Sequence, residues 1–240
     1  MEFRCRTAGP ETGEPVICLH GFPETSVSFF PLLKAACSFT HVHARSLGGY
    51  RVVAFDQRGY SPGARPTDVA EYDYPLIVDD VIAVADALGF ERFHLVGHDH
   101  GCIVGWCVAA KYQERVASYT PMSVPHPRAF ADALMNDPDQ TAASQYFHTF
   151  AQAQGTVLRG MVDMFSKGMV EGPHKGKGFE DIKSVLFDDP TGAPLRAALN
   201  WYNGVMESGL LPCPPVLKGS AMVRGPLAFT SPPFCTPLAL

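Results

Sequence analysis

Short, mostly apolar runs recur along this chain, and each run ends in glycine, proline or charged residues. The runs cover residues 15–19, 50–55, 93–96 and 116–120. Continuous apolar runs of this length are typical of strands that are covered on both faces, as in a parallel sheet. Residues 1–8 precede them and predict an edge strand.

Between the second and third runs the spacing of the apolar residues changes from that typical of a strand to that typical of a helix. Apolar residues share one face of a helix predicted from about 75 to 88, namely Ile77, Val81, Val84 and Leu88. Gly89 follows, at the position where a glycine commonly caps a helix C-terminus. Strands and helices that alternate in this way predict an α/β fold with a parallel sheet and right-handed crossovers.

The third run leads into Gly97-His98-Asp99-His100-Gly101 and then into small and apolar residues that predict a helix. Glycines two positions before and after a central residue are the pattern of a nucleophile elbow, a tight turn that holds the central side chain out at the strand's end. That residue is Asp99, and a carboxylate can attack an electrophilic carbon directly to form an ester. The alternative is an ordinary turn in which Asp99 only caps the helix.

The first run ends in a loop with the sequence His20-Gly21-Phe22-Pro23-Glu24. Loops at the carboxyl ends of parallel strands form the ligand-binding edge of such sheets, and their backbone N–H groups can stabilise a developing negative charge. We expect the N–H groups of Phe22 and His100 to form this oxyanion site. His20 is expected to hold the loop by hydrogen bonds.

The second run leads into a long turn, residues 56–66, that contains two glycines and two prolines. Asp56 and Arg58 lie at its start. Because the turn already has strong structural signals, we interpret these two residues as a carboxylate and guanidinium pair that stabilises the turn, not as catalytic groups.

Composition narrows the possible partners and compartments. The chain has 240 residues, 46% of them hydrophobic, a net charge of -5 and a pI near 6.0, which argues against nucleic acid or an anionic membrane as a partner. The 7 cysteines are odd in number and lack close pairing, so we expect no disulfide framework, no metal site and no cofactor. Without a signal peptide pattern or a long apolar span, a cytoplasmic location is expected.

The chain is predicted to divide into three parts. Residues 1–129 form the N-terminal part of an α/β core, and residues 130–207, rich in methionine and aromatic residues, form an inserted helical lid. Residues 208–240 are rich in proline and form an irregular tail. The segment 36–47 has no clear period, and an unspliced segment followed by a lost reading frame would explain both this segment and the tail.

Four motifs in order carry a family resemblance: H-G-F-P-E, D-Q-R-G-Y-S, G-H-D-H-G and S-V-P-H-P. From about residue 15 to 202 the chain resembles the aspartate-nucleophile branch of the α/β-hydrolase superfamily, the soluble epoxide hydrolases and haloalkane dehalogenases. The resemblance implies an α/β-hydrolase fold, a mostly parallel sheet flanked by helices with an inserted helical lid, here with the last core strands missing. It also implies a small apolar epoxide and water as reactants, with Asp99 forming an alkyl-enzyme ester.

The same resemblance implies roles for three lid residues. Tyr146 and Tyr202 correspond to the two tyrosines that donate protons to the epoxide oxygen, and Trp201 lines the substrate pocket. A tyrosine suits this role because its ordinary pKa near 10 keeps it protonated at neutral pH. Each tyrosine could instead be an ordinary aromatic residue on a buried helix face. His100 stands where a dehalogenase typically has a tryptophan, which favours the epoxide hydrolase over the dehalogenase.

Hydrolysis of the ester needs a histidine to activate water and a second acid to orient it, and in these families both follow the lid. Residues 208–240 contain no Asp, Glu or His. Turnover is therefore doubtful, and the remaining alternatives are a non-catalytic ligand-binding protein or a truncated gene product. We do not expect other histidines to replace the missing base, nor a metal site; the candidates are His20, His98, His100, His126 and His148.

Overall fold

A computed structural model describes residues 1–37, 49–153, 155–171 and 177–207. Within these residues one sheet has 5 strands in the order β1-β3-β2-β4-β5. The strands are β1 (Cys5–Ala8), β2 (Glu14–Leu19), β3 (Tyr50–Phe55), β4 (Phe93–His98) and β5 (Val116–Met122). β1 is antiparallel to β3, and all other pairs are parallel, so the predicted edge strand and parallel core are confirmed.

Helices occupy both the connections between strands and the second half of the chain. They are α1 (Phe30–Cys37), α2 (Tyr74–Ala87), α3 (His100–Lys111), α4 (Pro127–Asn136), α5 (Pro138–Ala143), α6 (Tyr146–Gln152), α7 (Gly155–Glu171), α8 (Lys177–Leu186) and α9 (Ala193–Glu207). A short 3₁₀ helix, Ser26–Phe29, precedes α1. None of the helices in these described ranges is long and apolar enough to cross a membrane.

The central strands β2 and β3 are covered on both faces over most of their length, as their apolar runs predict, whereas β4 alternates buried and partly buried residues. On one face Ile17 and Leu19 join the large core, whereas Val16 and Cys18 on the other face join a second apolar cluster. Each such side chain contributes roughly 1.5–3 kcal/mol when it is fully buried. Apolar packing on both sides therefore fixes the central strands and, with them, the loops at their carboxyl ends.

The helix predicted at 75–88 is α2, which runs from Tyr74 to Ala87. Its apolar face is buried in the core, and Gly89 follows it with a φ of 73°. That left-handed backbone conformation favours glycine, which explains why the helix ends there. The helical spacing and the glycine cap are both confirmed.

The interpretation of Asp56 and Arg58 as a pair is wrong. The Asp56 carboxylate accepts hydrogen bonds from Arg4 Nε and from the N–H of Ser26. Arg58 instead donates from Nε and Nη2 to the two carboxylate oxygens of Asp80, at 2.7 Å each. Both residues do stabilise structure, but each does so through a partner that is distant in the sequence.

The division into core, lid and tail stays a prediction. Helices α4 to α9 fall within residues 127–207, the region of the predicted lid. The predicted tail, 208–240, and most of the segment 36–47 lie outside the described residues. The predicted loss of the last core strands falls on that same undescribed tail.

Candidate active site

Asp99 occupies a sharp turn between β4 and α3. Its φ of 52° and ψ of -122° place a residue with a side chain in a backbone region that such residues rarely adopt. Strain of this kind costs about 1–3 kcal/mol and is concentrated at functional sites. The backbone thus has the geometry of a nucleophile elbow, with the carboxylate at the carboxyl end of a central strand.

The two glycines of the elbow are required by close backbone contacts. A Cβ atom on Gly97 would lie 2.5 Å from the backbone oxygen of Gly101. A Cβ atom on Gly101 would lie 2.2 Å from the backbone oxygen of Leu19 in β2. Any side chain at either position would force the strand and helix apart, so both glycines serve the turn that the sequence pattern predicts.

The loop after β2 lies against the Asp99 carboxylate. The N–H of Phe22 donates to Asp99 Oδ1 at 2.9 Å. A Cβ atom on Gly21 would lie 2.3 Å from the Asp99 Cβ atom, so only glycine fits there. Among the described hydrogen bonds, none joins the His100 N–H to this carboxylate. The structure therefore brings one of the two expected oxyanion donors to Asp99.

His20 holds this loop in place through hydrogen bonds of both ring nitrogens. Its Nε2 accepts the N–H of Gln57 at 3.1 Å, and its Nδ1 lies 2.8 Å from the backbone oxygen of Gly21. Because Nε2 is an acceptor, the proton of the neutral ring is on Nδ1, which donates to Gly21. Complete burial lowers the pKa of His20, in agreement with a neutral ring. The peptide bond between Phe22 and Pro23 is cis.

Glu24 and His98 connect the loop to the elbow, and the sequence analysis gave this pair no role. Glu24 Oε2 accepts the N–H of Gly21 at 3.1 Å and lies 3.1 Å from Nδ1 of His98. The hydrogen bond to Glu24 is the main cause of a raised pKa of His98. Although burial opposes it, the bond from His98 contributes to a lowered pKa of Glu24. The only feature of the sequence that could have indicated this pair is that Glu24 belongs to the motif H-G-F-P-E and His98 to the motif G-H-D-H-G, and these two motifs meet here.

Tyr202 on α9 lies in an aromatic cluster beside the loop and the elbow. Its ring is 3% exposed and lies 5.5 Å from the Phe22 ring and 4.5 Å from the His100 ring. Burial, and after it the charge of Asp99, raises the pKa of Tyr202 well above 10, so its hydroxyl stays protonated. Tyr146 on α6 is 37% exposed and its ring is 6.2 Å from that of Tyr202.

Trp201 is fully buried and is surrounded by protein groups, whereas a residue that lines a pocket is expected to face open space. Its indole N–H donates to the backbone oxygen of Arg58 at 2.7 Å. Its ring stacks on His100, with 5.5 Å between ring centroids, and packs in T-shaped geometry with Tyr60 and Tyr74. These contacts account for its burial, and contact between Trp201 and a substrate stays a prediction.

His100 is packed between Trp201 and Tyr202 and is nearly completely buried. Among the residues that the structure describes, its Nδ1 has no hydrogen-bond partner, and burial lowers the pKa of the ring. Elsewhere, the side chain of His126 caps α4 by accepting the N–H of Arg128. The described ranges contain no group of three or more His, Cys, Asp or Glu side chains arranged to hold a metal ion.

Comparison with known proteins assigns the family. Residues 14–201 match the family model described as alpha/beta hydrolase fold. Together with the parallel sheet and the elbow that carries Asp99, this match shows that the chain belongs to the α/β-hydrolase fold family. The resemblance inferred from the four motifs is thereby confirmed at the level of the family.

Among the similar proteins, many are named epoxide hydrolases. Epoxide hydrolase 4 of Homo sapiens is 33% identical over 151 residues, which cover 62% of this chain and 39% of that protein. Epoxide hydrolase A of Mycobacterium tuberculosis is 38% identical over 131 residues, which cover 54% and 38%. Epoxide hydrolase 2 of Caenorhabditis elegans is 27% identical over 214 residues, which cover 85% and 57%. The chain thus spans about 38% to 57% of the length of these relatives.

Solved structures agree with this assignment. A structure from a study of novel epoxide hydrolases in metagenomes from hot environments is 26% identical, with a TM-score of 0.68, and the match covers 96% of this chain and 73% of that one. An epoxide hydrolase from Bacillus megaterium in complex with an inhibitor has a TM-score of 0.69 at 22% identity, covering 91% and 74%. The second likeness supports the fold alone. The chain is thus an α/β-hydrolase that resembles epoxide hydrolases.

Proposed function

We propose that this chain opens a small apolar epoxide by attack of Asp99, forming an alkyl-enzyme ester. The observation that carries the proposal is the hydrogen bond from the Phe22 N–H to Asp99 Oδ1 at 2.9 Å, on a strained elbow. A carboxylate held in this way is a preoriented nucleophile. The names of the similar proteins support the same reaction. The predicted cytoplasmic location belongs to this proposal as well.

In the proposed first step, Asp99 Oδ2 attacks an epoxide carbon and the carbon–oxygen bond of the ring breaks. Oδ1 becomes the carbonyl oxygen of the ester and keeps the hydrogen bond from Phe22. Tyr202, helped by Tyr146, donates a proton to the released oxygen. The raised pKa of Tyr202 keeps this proton available until an alkoxide, a stronger base than a phenolate, develops.

An apolar substrate suits the surroundings of these groups. The rings of Phe22, Phe147 and Phe150 lie 5.2–5.5 Å from the Tyr202 ring, so the proposed donor has aromatic neighbours on several sides. Aromatic surfaces favour hydrocarbon groups and exclude water, which strengthens the hydrogen bond from a tyrosine to a developing charge. Within this proposal, residues 130–207 serve as the lid over Asp99 of the core.

For the second step, hydrolysis of the ester, we propose that this chain supplies no base. Residues 208–240 contain no Asp, Glu or His. His20 is engaged on both ring nitrogens, and His98 is paired with Glu24. We therefore propose that the ester on Asp99 persists, so that each molecule of this chain reacts once.

Incubation of the purified chain with styrene oxide, followed by intact-protein mass spectrometry and peptide mapping, tests both parts of the proposal. We expect a gain of one styrene oxide per chain, located on Asp99, without steady release of diol. The matched control is Asp99→Asn, which keeps the side-chain size and removes the nucleophile, and it should gain no mass. Folded protein without an adduct would favour the non-catalytic ligand-binding alternative, and diol over many turnovers would disprove the persistent ester.

A further inference from the structure

A second cluster of reactive side chains lies at the other end of the sheet from Asp99. Glu14 is the first residue of β2, His94 the second of β4 and Ser118 the third of β5. In the strand register His94 pairs with Ser118 on one side and with Val16 on the other. Since alternate residues share a face, Glu14 lies on the same face as Val16, and the three polar side chains share one face of the sheet.

These three side chains form a continuous hydrogen-bonded chain. The Ser118 Oγ atom lies 2.6 Å from Nδ1 of His94, and Nε2 of His94 lies 2.8 Å from Oε1 of Glu14. An ionised carboxylate only accepts hydrogen bonds, so Nε2 carries the ring proton and donates to Glu14. In the neutral ring Nδ1 is then the acceptor, and the hydroxyl of Ser118 donates to it. This is the order of groups that activates a serine: an acid that orients a base, and a base that can take the hydroxyl proton.

A local irregularity in the sheet accompanies the pair. Phe93 pairs with Val116 and the next residue, His94, pairs with Ser118, so Ala117 is an extra residue in β5. Bulges of this kind redirect the side chains that follow them. The side chains are also accessible, because His94 is 24% exposed and Glu14 58% exposed, and Ser118 is partly exposed. A reagent from solvent can therefore approach the serine.

We propose that Ser118, His94 and Glu14 form a second nucleophilic site, independent of Asp99, at which Ser118 accepts an acyl or phosphonyl group from an activated donor. The alternative is a purely structural set of hydrogen bonds between strands, which would leave the hydroxyl no more reactive than any other serine. The two differ in the chemistry of Ser118, which can be measured directly.

The step can be written for a fluorophosphonate. Ser118 Oγ bonds to phosphorus, the phosphorus–fluorine bond breaks, and fluoride leaves with the electron pair. The hydroxyl proton moves to Nδ1 of His94, and the resulting imidazolium is stabilised by Glu14. The described hydrogen bonds around Ser118 include no pair of N–H donors directed at a developing oxyanion. We therefore expect one modification per chain rather than turnover.

Labelling of the full chain with a fluorophosphonate, followed by peptide mapping over time, tests this site. Ser184 provides an internal reference, because it is an exposed serine whose hydroxyl donates to the backbone oxygen of Asp181 and not to a histidine. We expect Ser118 to be labelled at least about tenfold faster than Ser184, as general base assistance commonly gives larger factors. Equal rates at the two serines would overturn the proposal.

Three variants and one matched control sharpen the test. Ser118→Ala should lose the adduct, and His94→Gln should lower the rate at Ser118 to that of Ser184. Glu14→Gln should slow labelling severalfold, and because Glu14 is exposed this variant is expected to fold normally, which circular dichroism checks. Ser184→Ala is the matched control and should leave the rate at Ser118 unchanged. Labelling as fast in folded Glu14→Gln and His94→Gln as in the original chain would contradict the relay.

Discussion

At the scale of single residues, the role of the Tyr202 hydroxyl can be tested separately from the packing of its ring. The ring packs against Phe22 and His100, whereas the hydroxyl is the proposed proton donor. Tyr202→Phe keeps the packing, so we expect the free energy of unfolding to be unchanged and the rate of Asp99 alkylation to fall by about a hundredfold. The rate follows from intact-protein mass measured over time with styrene oxide.

A surface tyrosine provides the control for this variant. Tyr112 follows α3, and its hydroxyl donates to Asp79 at 2.7 Å in an exposed position. Tyr112→Phe removes one hydroxyl in the same way and should leave alkylation unchanged. If Tyr202→Phe reacts with styrene oxide as fast as the Tyr112→Phe variant, Tyr202 is an ordinary buried aromatic residue, the alternative that the sequence left open.

Sequence motifs predicted the residues of the elbow well because close backbone contacts leave no other choice there. Gly97 and Gly101 are fixed by oxygen atoms within 2.5 Å of where a Cβ would be, and such constraints appear in a sequence as glycines at a short spacing within one segment. The partners of Asp56 and Arg58 were not predictable in this way. Arg4 and Asp80 are 52 and 22 residues away, and only the fold brings them near.

At the scale of elements, the pair Glu24–His98 ties the loop after β2 to the end of β4. Glu24 also accepts the Gly21 N–H, so its carboxylate is shared between the loop and the elbow. The titratable groups that face the pair include Asp99, which also raises the pKa of His98, and buried His20, whose ring is neutral. The pair therefore gives stability that depends on pH.

The sign of this dependence follows from the two shifts. The pKa of His98 is raised above 6.5, so its contribution is complete below that pH and is lost as the pH rises through the folded-state pKa. The pKa of Glu24 is lowered below 4.5, so its contribution is present above that pH and is lost as the pH falls through the folded-state pKa. We expect Glu24→Gln to destabilise the chain most in the window between these values.

Urea unfolding of the original chain and of Glu24→Gln across this pH range measures the effect. Both side chains are partly open to solvent, so after screening we expect at most about 1 kcal/mol. His98→Gln should remove the same pH dependence, and the double variant should add little to either single one. A difference in unfolding free energy that stays constant from acid to alkaline pH would show that the pair carries no charge interaction.

The strands and helices themselves were largely predictable. β3 begins and ends where the apolar run does, and α2 lies one residue from the predicted range. Buried parallel strands must be apolar on both faces, so their pattern is short and continuous and easily read. The pair Glu24–His98 was not predicted, because two half-exposed polar residues from different elements form no periodic pattern in the sequence.

At the scale of the whole molecule, one carboxylate connects the helices of the second half to the start of the chain. Asp181 on α8 accepts hydrogen bonds from both terminal nitrogens of Arg4, at 2.9 and 3.2 Å, and from Arg6 at 2.6 Å. It also accepts the Thr25 hydroxyl at 2.9 Å. No sequence pattern predicts this network, because its members come from β1 and the residue before it, from the loop before α1, and from α8.

Removal of the charge at this point should loosen the region of the predicted lid from the core. In Asp181→Asn, Arg4 and Arg6 lose the charge between them, and we expect a loss of about 2 kcal/mol in unfolding free energy because hydrogen bonds to charged groups contribute roughly that much. The variant should also be cleaved faster within residues 130–207 by a protease under native conditions. Urea unfolding and limited proteolysis measure the two effects.

An ion pair on the surface of the same region gives the matched control. Lys183 and Asp188 pair in an exposed position, so Asp188→Asn should change the unfolding free energy by less than about 0.5 kcal/mol. High salt should reduce the loss of unfolding free energy in Asp188→Asn by a larger fraction than the loss in Asp181→Asn. The reason is that partly buried charges are screened less than exposed ones. Equal stability and equal proteolysis in the two variants would mean that apolar packing alone holds these helices on the sheet.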